Sequence, residues 1–331
     1  MTTVKQGWWC IVLLVSGMVY GQAPSTTGIT GVSDTSYSLQ SAYRSTLKSF
    51  PAIVVVTDTV SHNIKQRQVT YCQVNGVGLT MDVFSPRHKS LNKRIAVILV
   101  HGGGWRSGSP SLHHPLAQRL ALMGYVCFTP QYRLSTHALY PAAVHDLKAA
   151  VSWVRANAKR WQVDTNAIAV AGHSAGGELA AFLGATNGMH AFDSSACRQS
   201  AGSWVNAVLD MDGILAFIHP ESGEGDDSKR TSAATYWFGY SKEQNPALWI
   251  EGSPLTHAGK SAPPVLFINS SVARMQAGQK DYIEKMKQHG TYWQVVDFPE
   301  APHNFPLFRP WFQPTLLAID SFLKQVFHEK N

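Results

Sequence analysis

Charge is scarce in this chain. Asp, Glu, Lys and Arg make up 15% of its 331 residues, against 44% apolar residues. Disordered chains have the opposite balance, so this composition describes a molecule with a large core. Cysteine is scarcer still, at four residues. There is no CxxC pair and no metal-like spacing of Cys and His. His113 and His114 are adjacent and would not share a helix face, so a surface position is expected for them rather than a metal site. No metal and no cofactor is expected. Long apolar runs are missing too: the best of them, residues 8–19, is shorter than the roughly 20 residues that span a bilayer. The formal net charge is +7, but the basic residues are scattered. An ordinary basic surface accounts for that as well as an acidic partner does. Without a basic stripe, no nucleic-acid partner is expected.

What is present begins with a leader. Lys5 precedes the apolar run, and Gly21-Gln22-Ala23 offers small residues for cleavage before Pro24. Residues 1–23 therefore read as a secretory signal peptide, which implies a secreted or periplasmic protein without stable membrane insertion; a retained anchor helix is the alternative. Cys10 would leave with it. Cys127 falls in an apolar stretch and is expected to be a buried thiol. Cys72 and Cys197 could pair, but spacing alone does not decide this.

Residues 24–52 are rich in Ser, Thr and Gly and read as a linker with one short helix; residues 53–331 read as a single domain. Residues 69–74 and 79–84 flank Asn75-Gly76, a strong hairpin signal. Residues 95–100 form a continuous apolar run of the kind buried on both faces of a sheet. Further strands are expected at 126–129, 168–171, 205–209, 265–268 and 293–296. Val144, Leu147, Val151, Val154 and Ala158 recur at helical spacing, and 279–288 is a second helical stretch. Strands alternating with helices imply an α/β fold with a mostly parallel central sheet and helices on both faces. Residues 214–262, after the sixth strand, interrupt the rhythm with an acidic, Gly-rich piece and then Tyr236, Trp237, Phe238, Tyr240 and Trp249. They read as an insertion over the C-terminal edge of the sheet. Its aromatics could stack on sugar rings or simply cover the sheet.

Two motifs carry chemistry. Gly172-His173-Ser174-Ala175-Gly176 follows one expected strand and opens an alanine-rich helix, the setting of a nucleophile elbow. In that turn Ser174 is lifted to the top of the sheet, and the amide of Ala175 points at developing negative charge. A helix start capped by serine is the plainer alternative. His101-Gly102-Gly103-Gly104-Trp105 follows the strand at 95–100, and its glycines let backbone amides approach an oxyanion. Each motif alone is weak; both together, each after a buried strand and in this order, are specific.

HGGGW, GYVCFTPQYRL, YPAAVHDLKAAVSWVRANA and IAVAGHSAGG resemble the α/β-hydrolase esterases of the acetylesterase and hormone-sensitive-lipase-like groups, over residues 65–325. The resemblance implies an α/β-hydrolase fold, Ser174 as nucleophile, and Gly103, Gly104 and Ala175 as oxyanion donors. It places Tyr132, Arg133 and Asp146 as structural polar residues, and Trp105 beside the substrate. Triad order in this fold is serine, acid, histidine. His303 follows the last expected strand and is the base; His289, His257 and His328 are poorly placed. The family's usual acid position is empty, because the loop after 265–268 reads NSSVARMQAGQ. Asp212, at the end of the preceding strand, is the favoured acid. Asp281, Glu221 and Asp210 remain alternatives, whereas Glu300 is close to His303 only in sequence.

FINSSVARMQAG and FPEAPHNFPLFRPWFQPT resemble secreted bacterial pectin methylesterases of α/β-hydrolase type. That resemblance implies a serine esterase acting on a plant cell-wall polysaccharide ester. Separately, Arg274 stands in the loop after the penultimate strand, at the edge where open α/β sheets bind ligands, and its planar fork of donors suits a uronate carboxylate. An arginine that pairs with a loop acid such as Glu221 or Asp226 and only holds the insertion in place is the alternative. An acetyl esterase on xylan or pectin, or a general carboxylesterase, would use the same machinery.

Overall fold

The computed structural model describes Met1 and residues 23–59, 61–197 and 200–328; the leader lies almost wholly outside these. Eight strands form one sheet: β1 (Ile64–Val74), β2 (Val77–Pro86), β3 (Arg94–Val100), β4 (Val126–Pro130), β5 (Val163–His173), β6 (Ala207–Met211), β7 (Val265–Asn269) and β8 (Trp293–Asp297). Their order is β1-β2-β4-β3-β5-β6-β7-β8. β1 and β2 form the hairpin around Asn75-Gly76, and β2 meets β4 antiparallel. Every other pairing within this sheet is parallel. This is the α/β-hydrolase fold.

β3 shows why the sheet needs cover on both faces. All seven of its residues are buried. Successive side chains alternate across a strand, so Ala96, Ile98 and Val100 join one apolar cluster while Ile95, Val97 and Leu99 join another. Helices α3 (Ala142–Ala156) and α4 (Ala175–Ala185) supply Val144, Leu147, Val151, Leu179 and Phe182 to the first. α5 (Gln279–Gln288) adds Tyr282 and Met286 to the same cluster. Helices α2 (His114–Leu122) and α6 (Phe312–His328) supply Leu116, Leu120, Ile319, Phe322 and Leu323 to the second. The expected helices and strands all appear, with boundaries shifted by a few residues; the sixth strand starts at Ala207 rather than 205.

The insertion covers rather than displays its aromatics. Trp237, Phe238 and Trp249 are almost wholly buried. Trp237 stacks on Trp105 with ring centres 4.9 Å apart and planes 11° apart. Tyr236 and Tyr240 are half-buried.

Residues 24–52 are docked, not a free linker. Helix α1 (Leu39–Leu47), capped by Ser38, packs Ala42 with Ile53, Leu112, Leu307 and Phe308. The Tyr37 hydroxyl donates to Asn304 Oδ1 at 2.8 Å, and Asn304 Nδ2 donates to Thr46 Oγ1 at 3.2 Å. The segment is thus tied to the loop that carries His303. Cys72 and Cys197 form a disulfide, joining edge strand β1 to the loop after α4, and Cys127 is a buried free thiol. Among the described residues no helix is long and apolar enough to cross a membrane.

Candidate active site

The serine sits at the sharpest turn of the chain. β5 ends at His173, α4 begins at Ala175, and Ser174 between them has φ 58° and ψ −125°. Such a backbone costs a non-glycine residue about 1–3 kcal/mol and persists only where its surroundings enforce it. Here the two flanking glycines are obligatory. A Cβ on Gly172 would lie 1.9 Å from the Gly176 carbonyl oxygen, and one on Gly176 would lie 2.1 Å from that of Val100. The Ser174 N–H donates to the Met211 carbonyl at 2.9 Å, which pins the elbow to the end of β6. The Ser174 hydroxyl does not cap the helix. It lies 2.8 Å from His303 Nε2 instead.

His303 is in the loop after β8, and that loop is held from several sides. The Ala301 carbonyl accepts from the Ser271 N–H at 3.0 Å and from its hydroxyl at 2.8 Å. The His303 carbonyl accepts from His173 Nε2 at 2.6 Å. Burial and the nearby His303 ring push the His173 pKa well down, so it is a neutral ring whose Nε2 carries the proton. On the other side of its ring, His303 Nδ1 lies 2.9 Å from Asp212 Oδ2.

Asp212 is buried just past β6, with φ 54°. Its N–H donates to the Ile268 carbonyl at 3.0 Å, and its Oδ1 accepts from the Ser270 N–H at 2.7 Å. The loop after β7, which carries no acid, therefore contributes a backbone donor that orients the acid of its neighbour. The three alternatives are elsewhere. Asp281 is exposed on α5, 3.5 Å from His219. Glu221 accepts from the Gly278 N–H at 3.3 Å. Asp210 points beneath the elbow, with Oδ1 accepting from the Gly213 N–H at 2.7 Å. Glu300 is exposed.

The glycine loop leaves β3 and folds against the elbow: a Cβ on Gly102 would lie 2.6 Å from the His173 carbonyl oxygen. Gly103, Gly104 and Trp105 all have positive φ, at 123°, 60° and 55°. The amides of Gly103, Gly104 and Ala175 have no acceptor among the described residues, and all three residues line an open cleft of about 620 Å³ together with Ser174. Tyr132 donates to the His101 carbonyl at 2.8 Å and supports the loop from below. Arg133 grips the buried Asp146 through Nε and Nη2, at 2.9 and 2.7 Å.

Trp105 lines the cleft, but its indole is buried and donates to Glu178 Oε2 at 2.8 Å, packed within the aromatic cluster. One expectation needs correction. His113 is not at the surface: it is buried against the Val100 carbonyl at 3.1 Å, and burial lowers its pKa to about 4. His114 is half-buried beside Asp82 at 3.1 Å. Arg274 lines the cleft and is paired with a loop acid, Glu224, whose Oε1 lies 2.8 Å away.

Sequence reasoning missed several residues. His173 and Ser270 orient the triad through contacts no local pattern encodes. Glu178, in the first turn of α4, is fully buried with one oxygen unpartnered. Its pKa is pushed well up, first by burial and then by the neighbouring Asp210. Arg106 and Arg230 line the cleft as well; Arg106 was legible as the residue following HGGGW. Among the described residues no group of His, Cys, Asp and Glu is arranged to hold a metal ion.

A serine on a strand–turn–helix elbow, a histidine after the last strand and an aspartate bridging to it define this molecule as an α/β-hydrolase with a Ser-His-Asp relay. The chain belongs to the BD-FAE family, whose model matches residues 81–278. It is similar to Esterase LipC of Mycobacterium tuberculosis (strain ATCC 25618 / H37Rv), 29% identical over 256 residues, covering 74% of this chain and 62% of that protein. It is also similar to the probable carboxylic ester hydrolase LipM of the same strain, 26% identical over 69% of this chain and 53% of that protein. The chain thus spans less than two thirds of the length of these curated relatives. Among solved structures, a thermophilic esterase from Thermogutta terrifontis (Est2, native) matches with TM-score 0.65 and 25% identity, covering 79% of this chain and 92% of that one.

Proposed function

We propose that this protein is a secreted serine esterase that hydrolyses carbohydrate esters through an acyl-enzyme. The observation that carries the reading is the continuous relay Ser174–His303–Asp212, at 2.8 and 2.9 Å, opening into a cleft where three amides lack acceptors. The Ser174 oxygen attacks the ester carbonyl as its proton passes to His303 Nε2. The Gly103, Gly104 and Ala175 amides receive the oxyanion, and Asp212 stabilises the imidazolium. His303 then protonates the departing alcohol. It next takes a proton from water, whose oxygen attacks the acyl-enzyme, and returns that proton to Ser174 as the acid leaves.

The substrate proposed is the methyl ester of a polyuronate such as pectin. Arg230 in the cleft lining supports it, beside Arg106 and Arg274, which are paired with Asp34 and Glu224, as do the two sequence segments that resemble pectin methylesterases. In that case the sugar acid is the acyl group and methanol departs. An acetyl ester of xylan or pectin is the second reading, with the sugar departing and acetate retained. The esterase names of the relatives favour both equally. Secretion is supported by the leader pattern and by the Cys72–Cys197 disulfide, a bond that persists in oxidising compartments.

The test is one panel of methylated polygalacturonate, acetylated xylan and a chromogenic acetate, with wild type and Ser174→Ala. Methanol release from the first, abolished in the variant, is the expected result. Activity on acetylated xylan without any on the pectin substrate would select the second reading. A folded Ser174→Ala protein with activity within tenfold of wild type would remove the serine mechanism.

A further inference from the structure

Arg106 follows the glycine loop directly, and it is held by the N-terminal segment ahead of α1. Its Nε lies 3.3 Å from Asp34 Oδ2, its Nη1 donates to the Gly28 carbonyl at 2.9 Å, and its guanidinium sits 4.4 Å above the centre of the Tyr236 ring. Asp34 also forms a parallel β-bridge with Ser107. Ser107 in turn faces the loop: its N–H and its hydroxyl both donate to the Gly103 carbonyl at 3.0 Å. The far end of the segment is secured as well. The Ser25 N–H donates to the Gly239 carbonyl at 2.6 Å, and the Thr30 and Gly31 N–H groups donate to the Thr136 carbonyl at 2.9 Å.

The Gly103 carbonyl and the Gly104 N–H belong to one peptide plane. Fixing the carbonyl therefore fixes the direction of the amide offered to the oxyanion. Glycine has the widest backbone freedom of any residue, so a Gly-Gly-Gly loop needs an external hold if its amides are to be aimed before the reaction. Ser107 supplies the hold, and residues 25–38 hold Ser107.

We infer that residues 25–38 are a brace for the oxyanion loop, with Asp34 and Arg106 as positioning residues. The inference rests on the ester-hydrolase reading of the cleft. Asp34→Ala and Arg106→Met are expected to lower kcat on a small neutral acetate by about 10- to 100-fold, the range for a misplaced or lost donor. KM should stay near its wild-type value. The acid limb of the pH–rate profile should not move, because His303 and Asp212 are untouched. The double variant should be no worse than the more damaged single one, since both break the Asp34–Arg106 connection. Arg106→Lys, which keeps a charge beside Asp34, should recover part of the loss. Turnover close to wild type in both folded variants would overturn the brace. So would a change confined to KM, which would make the segment a substrate wall, or a displaced acid limb, which would route its effect through the triad. Hydrogen exchange gives a readout without substrate. In Asp34→Ala the peptide covering residues 101–108 should exchange faster while that covering 170–178 does not. Unchanged exchange at 101–108 would overturn the brace whatever the activity. Faster exchange in a protein whose wild type hydrolyses no ester would instead sink the esterase reading and leave the brace standing.

Discussion

Asp212 and Asp281 are both aspartates within reach of a histidine, and their surroundings separate them. Asp212 is buried and accepts two hydrogen bonds, from His303 Nδ1 and the Ser270 N–H, so one oxygen holds the ring while the other is itself held. Asp281 has a side chain 64% exposed and touches His219 at 3.5 Å. Asp212→Asn should lower kcat by about 10³- to 10⁴-fold, because an amide in that place no longer fixes the tautomer or stabilises the imidazolium. Asp281→Asn should change it by no more than about twofold, as expected of a surface substitution. Steady-state kinetics of the two variants decide the matter, and a reversed order would reassign the acid.

At the scale of the element, the elbow carries a hidden cost. The first turn of α4 places Glu178 in the core, where Trp105 satisfies one oxygen and nothing satisfies the other. Asp210 lies beside the same turn, also with one oxygen unpartnered and its pKa pushed well up by burial. Burial disfavours the charged form of both carboxyls in the folded protein. A folded-state pKa above the unfolded value gives a contribution that is complete below the ordinary carboxylate range and is lost as pH rises toward the folded pKa. Glu178→Gln keeps the shape and removes the titration. The variant should therefore gain stability relative to wild type as pH rises above about 4.5, by at most about 1.4 kcal/mol per pH unit. Urea unfolding at pH 5 and pH 8 measures this; a difference between the two proteins that does not grow with pH would show that Glu178 is ionised in the fold.

The whole molecule is closed by contacts distant in sequence. The Cys72–Cys197 disulfide links residues 125 apart, and neither cysteine lines the cleft. Replacing both with serine should cost about 2–5 kcal/mol of stability while leaving the turnover of the folded protein unchanged. Thermal unfolding and kinetics on the same sample read both quantities. A loss of turnover at temperatures where the variant remains folded would mean that edge strand β1 communicates with the site.

The sequence by itself determined the strands, the two helical stretches, the elbow and the glycine loop. Each of these is written in neighbouring residues: alternation or apolar runs for strands, 3.6-residue recurrence for helices, and glycines where a side chain would strike a carbonyl. It also brought His303 forward, because a base must follow the last strand in this fold. The acid was legible only as a preference for Asp212, since the empty loop after β7 showed where the acid was not. Tertiary structure decided the rest. The Ser270 amide that holds Asp212, the His173 ring that holds the His303 loop, and the burial of Trp105 all arise where separate strands end side by side. So does the docking of residues 24–52, whose composition reads as a linker because its partners, Arg106, Ser107, Thr136 and Asn304, lie far along the chain. A local pattern reports what a segment does with its own backbone. Which distant groups it meets is set by strand order, and strand order is fixed only when the two apolar faces of the sheet are buried together.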